Sequence, residues 1–126
     1  MTGCGGSSGS PSDNQGGSTD KLVVNIWDNN QRDGLQKIAD EWSAESGIAV
    51  QINVVNWDNY WTLLEAGASG GEMPDVFWMH SNTAQMYMEN DLLLPLDDYI
   101  SADSSIDLSG YYEGVVELYK RGDNGV

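Results

Sequence analysis

Residues 70–82, GGEMPDVFWMHSN, limit the fold more than any other stretch of the chain. Gly70 and Gly71 end whatever helix precedes them. Pro74 prevents a helix from resuming, because it has no N–H and biases Met73 to an extended backbone. A strand must therefore start almost at once. Val76, Phe77, Trp78 and Met79 are apolar without alternation, the pattern of a strand covered on both faces of a parallel sheet. His80, Ser81 and Asn82 then break the run. Ligands of open α/β sheets bind at the carboxyl ends of the strands, so a large aromatic followed by His-Ser-Asn marks a candidate site. A plainer reading of the same residues packs Trp78 in the core and uses Asn82 only to cap the next helix.

The remaining elements follow from spacing. Leu22 to Trp27 is nearly continuous in large apolar residues, as in a strand inside a sheet, and it exits into Asp28-Asn29-Asn30. Leu35, Ile38, Ala39 and Trp42 then form one helical stripe that Asn30 could cap and Gly47 could end. Val50, Ile52 and Val54 alternate with polar residues and predict a second strand near a sheet edge. Asn56 is placed to cap a helix carrying Trp57, Tyr60, Trp61, Leu64 and Ala68, with Val55 and Tyr60 as its hydrophobic staple. Trp42 and Trp61 lie in these stripes and are expected in the core.

After the central strand, Asn82 to Gln85 has capping-box spacing, and Ala84, Tyr87 and Met88 share one helical face. Leu92 to Leu96 is an apolar turn, with Asp97 and Asp98 set to open another short helix. Tyr112, Val115, Val116 and Tyr119 form a last stripe, with Lys120 and Arg121 near its C-terminal dipole. Asp123-Asn124-Gly125 is a turn signal. Three β-then-α units with right-handed crossovers predict an α/β fold with a parallel sheet of order 2-1-3. That order sets Trp27 to Asn30 opposite Trp78 to Asn82 across the topological switch point.

Composition removes several function classes. The formal net charge is −15, with only five Lys plus Arg, so a phosphate-tracking surface and a nucleic-acid partner are excluded. Cys4 and His80 are the only residues of their kinds, which leaves no intramolecular disulfide and no two-His metal site. Asp28 to Gly34 is a poor calcium loop, since Arg32 takes a ligand position and Ala39 stands where a bidentate Glu belongs. Asp97 and Asp98 read as a solvated pair at a helix start rather than as an acid/base dyad. With no phosphate-cradling glycine motif or nucleophile elbow, no cofactor, no metal and no catalysis are expected. An α/β hydrolase or transferase would have only the sheet in its favour. No run approaches the roughly 20 apolar residues that span a bilayer.

Residues 1–20 are dominated by Gly and Ser and read as a flexible tether ahead of one globular unit over residues 21–126. Thr2 to Gly6, with Cys4 at its centre, resembles the end of a bacterial lipoprotein signal peptide, although the basic and apolar parts of such a peptide do not precede it. Together with VNWDNYWTLLEAGASGGEMPDVFWM over residues 55–79 and LLLPLDDYI over residues 92–100, the chain resembles the extracellular solute-binding proteins of bacterial ABC importers, the carbohydrate-binding group in particular.

The resemblance implies a periplasmic-binding-protein type II-like lobe, one of two that close on a solute and deliver it to a permease. It implies a carbohydrate ligand, permease subunits as partners, and an extracytoplasmic lipoprotein anchored only through lipid on Cys4. Because the sequence ends at Asn124-Gly125-Val126, it is expected to hold an incomplete first lobe without the second. The unpaired strand edges of such a piece predict marginal stability and self-association. The alternative is a stand-alone surface interaction domain that has lost solute binding. Sugar recognition needs flat aromatic faces beside planar amides or carboxylates. The candidates at the three strand exits are Asn29 and Asn30, Trp57 and Asp58, and Trp78, His80, Ser81 and Asn82.

Overall fold

A computed structural model describes residues 21–122. Cys4, the Gly/Ser tether and the Asp123-Asn124-Gly125 turn lie outside the described residues. Strand β1 (Lys21–Ile26) pairs in parallel with β2 (Ala49–Val54), from Lys21 opposite Ala49 to Ile26 opposite Val54, and on its other side with β3 (Val76–Phe77). The sheet order is β2-β1-β3, as the element pattern predicts. β3 is shorter than the four apolar residues that announce it. Its start is set by Asp75, whose carboxylate accepts the Val23 N–H at 2.8 Å and so occupies a donor of β1 just before the ladder begins. Its end is extended by one bond, Trp78 N–H to Asn25 C=O at 3.0 Å, before the chain turns away.

The expectation of strands covered on both faces is corrected. Val76 is 51% exposed, and Ile26 is the only fully buried residue of β1. β3 is an outer strand among the described residues, so one side of it meets no neighbour.

Helix α1 (Asn29–Ser46) packs on β2. Asp28, not Asn30, caps it. Asp28 is the last extended residue, and its carboxylate accepts the Asn30 N–H at 2.9 Å, so Asn30 already lies inside the first turn. Gly47 ends the helix in the left-handed conformation, as expected. Trp42 is not core: it is 43% exposed and Ile38 64%, while Leu35 and Ala39 are half-buried. The predicted stripe is wider than the single edge strand α1 rests on, and its outer half stays in solvent.

Gln36 on the same helix closes the β2 edge. Its amide donates to the Val50 carbonyl at 3.1 Å and accepts the Ile52 N–H at 3.1 Å, the pair of bonds a neighbouring parallel strand would make. Asp40 orients that amide from 2.9 Å.

Helix α2 (Trp57–Gly70) is capped by Asn56 as predicted, the side chain accepting the Asn59 N–H at 3.1 Å. Tyr60 and Leu64 are buried against Tyr87 of α3 (Ser81–Glu89), and Val55 packs on this cluster as a staple residue should. The glycines after Leu64 have two duties. Gly71 takes φ 76° at the cap, and a Cβ on Gly67 would stand 2.9 Å from the Glu72 carbonyl oxygen. The chain can thus fold back tightly toward Pro74 and β3. Ala84, Tyr87 and Met88 form the buried face of α3, as their spacing predicts.

Beyond Leu93, α4 (Asp97–Ala102), a 3-10 turn at Leu108–Gly110 and α5 (Glu113–Glu117) bury no residue fully. Asp97 and Asp98 do open α4. The predicted last stripe is only partly realised: Val116 and Tyr119 are half-buried, whereas Tyr112 is 87% exposed.

Candidate functional site

The three parallel strands deliver their carboxyl ends to one side of the sheet, where four tryptophans and the histidine converge. Trp27, directly after β1, is the hub. Its ring centroid lies 4.9 Å from Trp78, 5.2 Å from Trp57 and 5.2 Å from Tyr60, all nearly perpendicular, and 6.1 Å from Trp61. Edge-to-face packing sets the positive rim of one ring against the negative face of another. His80 joins the group 5.5 Å from Trp57 and 6.4 Å from Trp27. Trp57 is 46% exposed, and the other members are half-buried or buried. The result is a packed aromatic cluster at the strand exits, termed the basin, with one indole presented to solvent.

The floor is braced by Tyr60. Its hydroxyl lies 2.9 Å from the Trp78 carbonyl and 3.0 Å from the Asn25 carbonyl. The Asn25 oxygen already accepts the Trp78 N–H, so Trp78 is the carbonyl that depends on Tyr60. Burial pushes the Tyr60 hydroxyl up to about 12 from 10.0, against the lowering effect of the Trp78 bond. Burial, and then the nearby Glu65 charge, also raise Tyr87. The Tyr87 hydroxyl and the Asn25 side-chain oxygen are buried without a protein partner among the described residues.

His80 holds α3 in place as its N-cap, its Nδ1 accepting the Asn82 N–H at 3.2 Å. This corrects the expectation that Asn82 caps the helix. The chain is still extended at His80, so Asn82 falls inside the first turn with its side chain free to face solvent.

The structure brings together Trp57, Trp78 and His80 of the sequence candidates. Ser81 is half-buried in the first turn of α3; Asp58, in the first turn of α2, and Asn29 and Asn30, in that of α1, are exposed, and none of these makes a ring contact. Two basin members were not among the sequence candidates, Trp27 and Trp61. Trp27 was detectable, since it ends the apolar run of β1 as Trp78 ends that of β3. Trp61 looks like any residue of a helical stripe.

Among the described residues no three His, Cys, Asp or Glu side chains converge as a metal site. A groove of about 340 Å³ lies at the far ends of α2 and α3, lined by Glu65, Ala68, Met86, Tyr87 and Leu92, and is separate from the basin.

Comparison with solved structures fits this architecture. The chain is similar to an ABC substrate-binding protein from Listeria monocytogenes in complex with cycloalternan, with TM-score 0.71 and 22% identity over 83% of this chain and 26% of that one. It is similar also to a periplasmic oligogalacturonide-binding protein from Yersinia enterocolitica in complex with saturated digalacturonic acid, with TM-score 0.67 and 19% identity over 82% of this chain and 26% of that one. Against UspC of M. tuberculosis the TM-score is 0.67 at 19% identity, over 81% of this chain and 24% of that one. The chain therefore spans about a quarter of the length of the solved structures it matches.

The fold is that of the type II periplasmic binding proteins. Residues 28–120 match the family model for bacterial extracellular solute-binding proteins, and the chain belongs to that family. No curated protein sequence matches it.

Proposed function

We propose that this lobe forms one wall of a carbohydrate-binding cleft in an extracytoplasmic protein that captures a sugar and passes it to an ABC importer permease. The observation that carries the reading is the half-exposed Trp57 indole, held at the strand exits by Trp27, Trp61 and His80. A pyranose offers an apolar C–H face that stacks on such a ring, while Asp58, Asn29, Asn30, Ser81 and Asn82 stand nearby in the chain to meet its hydroxyls. The carbohydrates bound to the Listeria and Yersinia proteins support the same ligand class. The role is binding, not catalysis. In this reading Cys4 carries the lipid that anchors the protein, and Cys4→Ser is expected to move it out of the membrane fraction.

One wall leaves most of a sugar in water, so the chain alone is expected to bind no tighter than about 1 mM. Titrating it with mono- and oligosaccharides should shift the Trp57 indole N–H signal in NMR spectra, and Trp57→Ala should abolish the binding. Unchanged signals at tens of millimolar sugar would overturn the placement of the site, and micromolar affinity would overturn the half-cleft. The alternative, a surface interaction domain, draws on the exposed apolar side chains between Leu94 and Leu118. It predicts that no sugar perturbs the basin.

A further inference from the structure

His80 has two ring nitrogens, and the fold already uses one of them. Nδ1 accepts the Asn82 N–H at the start of α3, at 3.2 Å. A nitrogen that accepts a hydrogen bond carries no proton, so the neutral ring must hold its proton on Nε2. Nε2 is on the opposite side of the ring from that cap, and it has no hydrogen-bond partner among the described residues. The ring is meanwhile held against Trp57, at 5.5 Å and 77°, and Trp27, so it belongs to the basin rather than to open surface.

We infer that His80 is a donor-only recognition residue: by capping α3 it is locked as the Nε2–H tautomer, and it offers that N–H to an acceptor oxygen of the bound carbohydrate. The ligand half of this inference rests on the sugar-binding reading. A free histidine could accept from one hydroxyl or donate to another as the ligand required. This one cannot accept. It selects a hydroxyl or ring oxygen whose lone pair points at the basin, and a hydroxyl placed there must send its own proton elsewhere. The cap thus converts a helix-stabilising contact into a constraint on sugar orientation.

Because His80 is the only histidine, 15N labelling of histidine in the full chain gives one imidazole to observe. Long-range 15N–1H correlations at neutral pH should show the Nε2–H pattern; an Nδ1–H pattern, or a rapid average of the two, would overturn the lock.

Two variants test the donor. His80→Asn and His80→Asp both retain an oxygen that can cap α3, but only Asn keeps an N–H to offer. With circular dichroism showing both folded, sugar titrations followed by the tryptophan indole signals should find the Asp variant at least tenfold weaker than the Asn variant. Equal affinities would overturn the donor role while leaving the sugar site standing. If no sugar moved any indole signal of the parent chain, the sugar reading would fail and take the named ligand with it, whereas the tautomer would still be decided by the first spectrum.

Discussion

The strand-exit basin and the segment from Leu94 to Gly122 are both rich in large apolar side chains, yet they end in different environments. In the basin, Trp27, Trp61, Trp78 and Tyr60 come from α2 and the exits of β1 and β3 and cover one another, Tyr60 buried and the three indoles half-buried. In the later segment Leu94, Leu96, Tyr99, Tyr111, Tyr112 and Leu118 all remain exposed. That segment is held instead by polar contacts: the Gln85 amide donates to the carbonyls of Leu118 and Lys120, and Arg121 pairs with Asp91 at 2.6 Å. The difference teaches that apolar content stabilises only where topology supplies a second layer. Parallel strands and two crossover helices supply it at the exits; short helices with no sheet beneath them do not.

The contrast is broken most directly by truncating one residue on each side. Leu64→Ala removes a side chain only 1% exposed and is expected to cost about 2–5 kcal/mol, whereas Tyr112→Ser, at an 87% exposed position, should change stability by no more than about 0.5 kcal/mol. Urea unfolding of the two variants beside the parent measures both, and similar costs would mean that the later segment is as tightly built as the core.

Tyr60→Phe is expected to cost about 1–3 kcal/mol, because the part-buried Trp78 carbonyl loses its donor while the ring packing survives. The same residue gives a pH signature. Its hydroxyl titrates at about 12 when folded against 10.0 ordinarily, so the unfolded chain releases the proton first. The stabilisation is whole below pH 10 and is lost as pH rises from 10 toward 12. Phenylalanine should flatten this part of the alkaline unfolding curve. A parent and a variant that melt in parallel between pH 9 and 12 would show that the hydroxyl is not the brace described.

Gln36→Ala is expected to cost only about 1 kcal/mol of stability, but it uncovers the Val50 carbonyl and Ile52 N–H at the sheet edge. Exposed strand edges recruit other chains. Sedimentation velocity should therefore show more self-association in the variant than in the parent, and equal association would mean that the edge is protected by something other than this amide.

Much of this was legible in the sequence because it depends on neighbours in the chain. The strand order follows from three β-then-α units, the Asn56 cap from its place before Trp57, and the Gly47 and Gly71 helix ends from the one residue type that takes positive φ without strain. The caps at Asp28 and His80 were missed by two residues each for a single reason. In both places the helix starts as soon as the strand exit stops being extended, and that point is set by how far β1 and β3 pair rather than by the polar residues that follow.

The amino-acid order by itself thus determined the α/β class, the 2-1-3 sheet and the buried faces of α2 and α3, since each rests on periodicities of 2 and 3.6 residues and on local turn chemistry. Tertiary structure alone decided that Trp27 is the centre of the basin, that Trp42 stays in solvent, that Gln36 seals the β2 edge and that His80 rather than Asn82 caps α3. Those outcomes depend on which surfaces meet across tens of residues, and a contact between distant residues leaves no period in the chain to read.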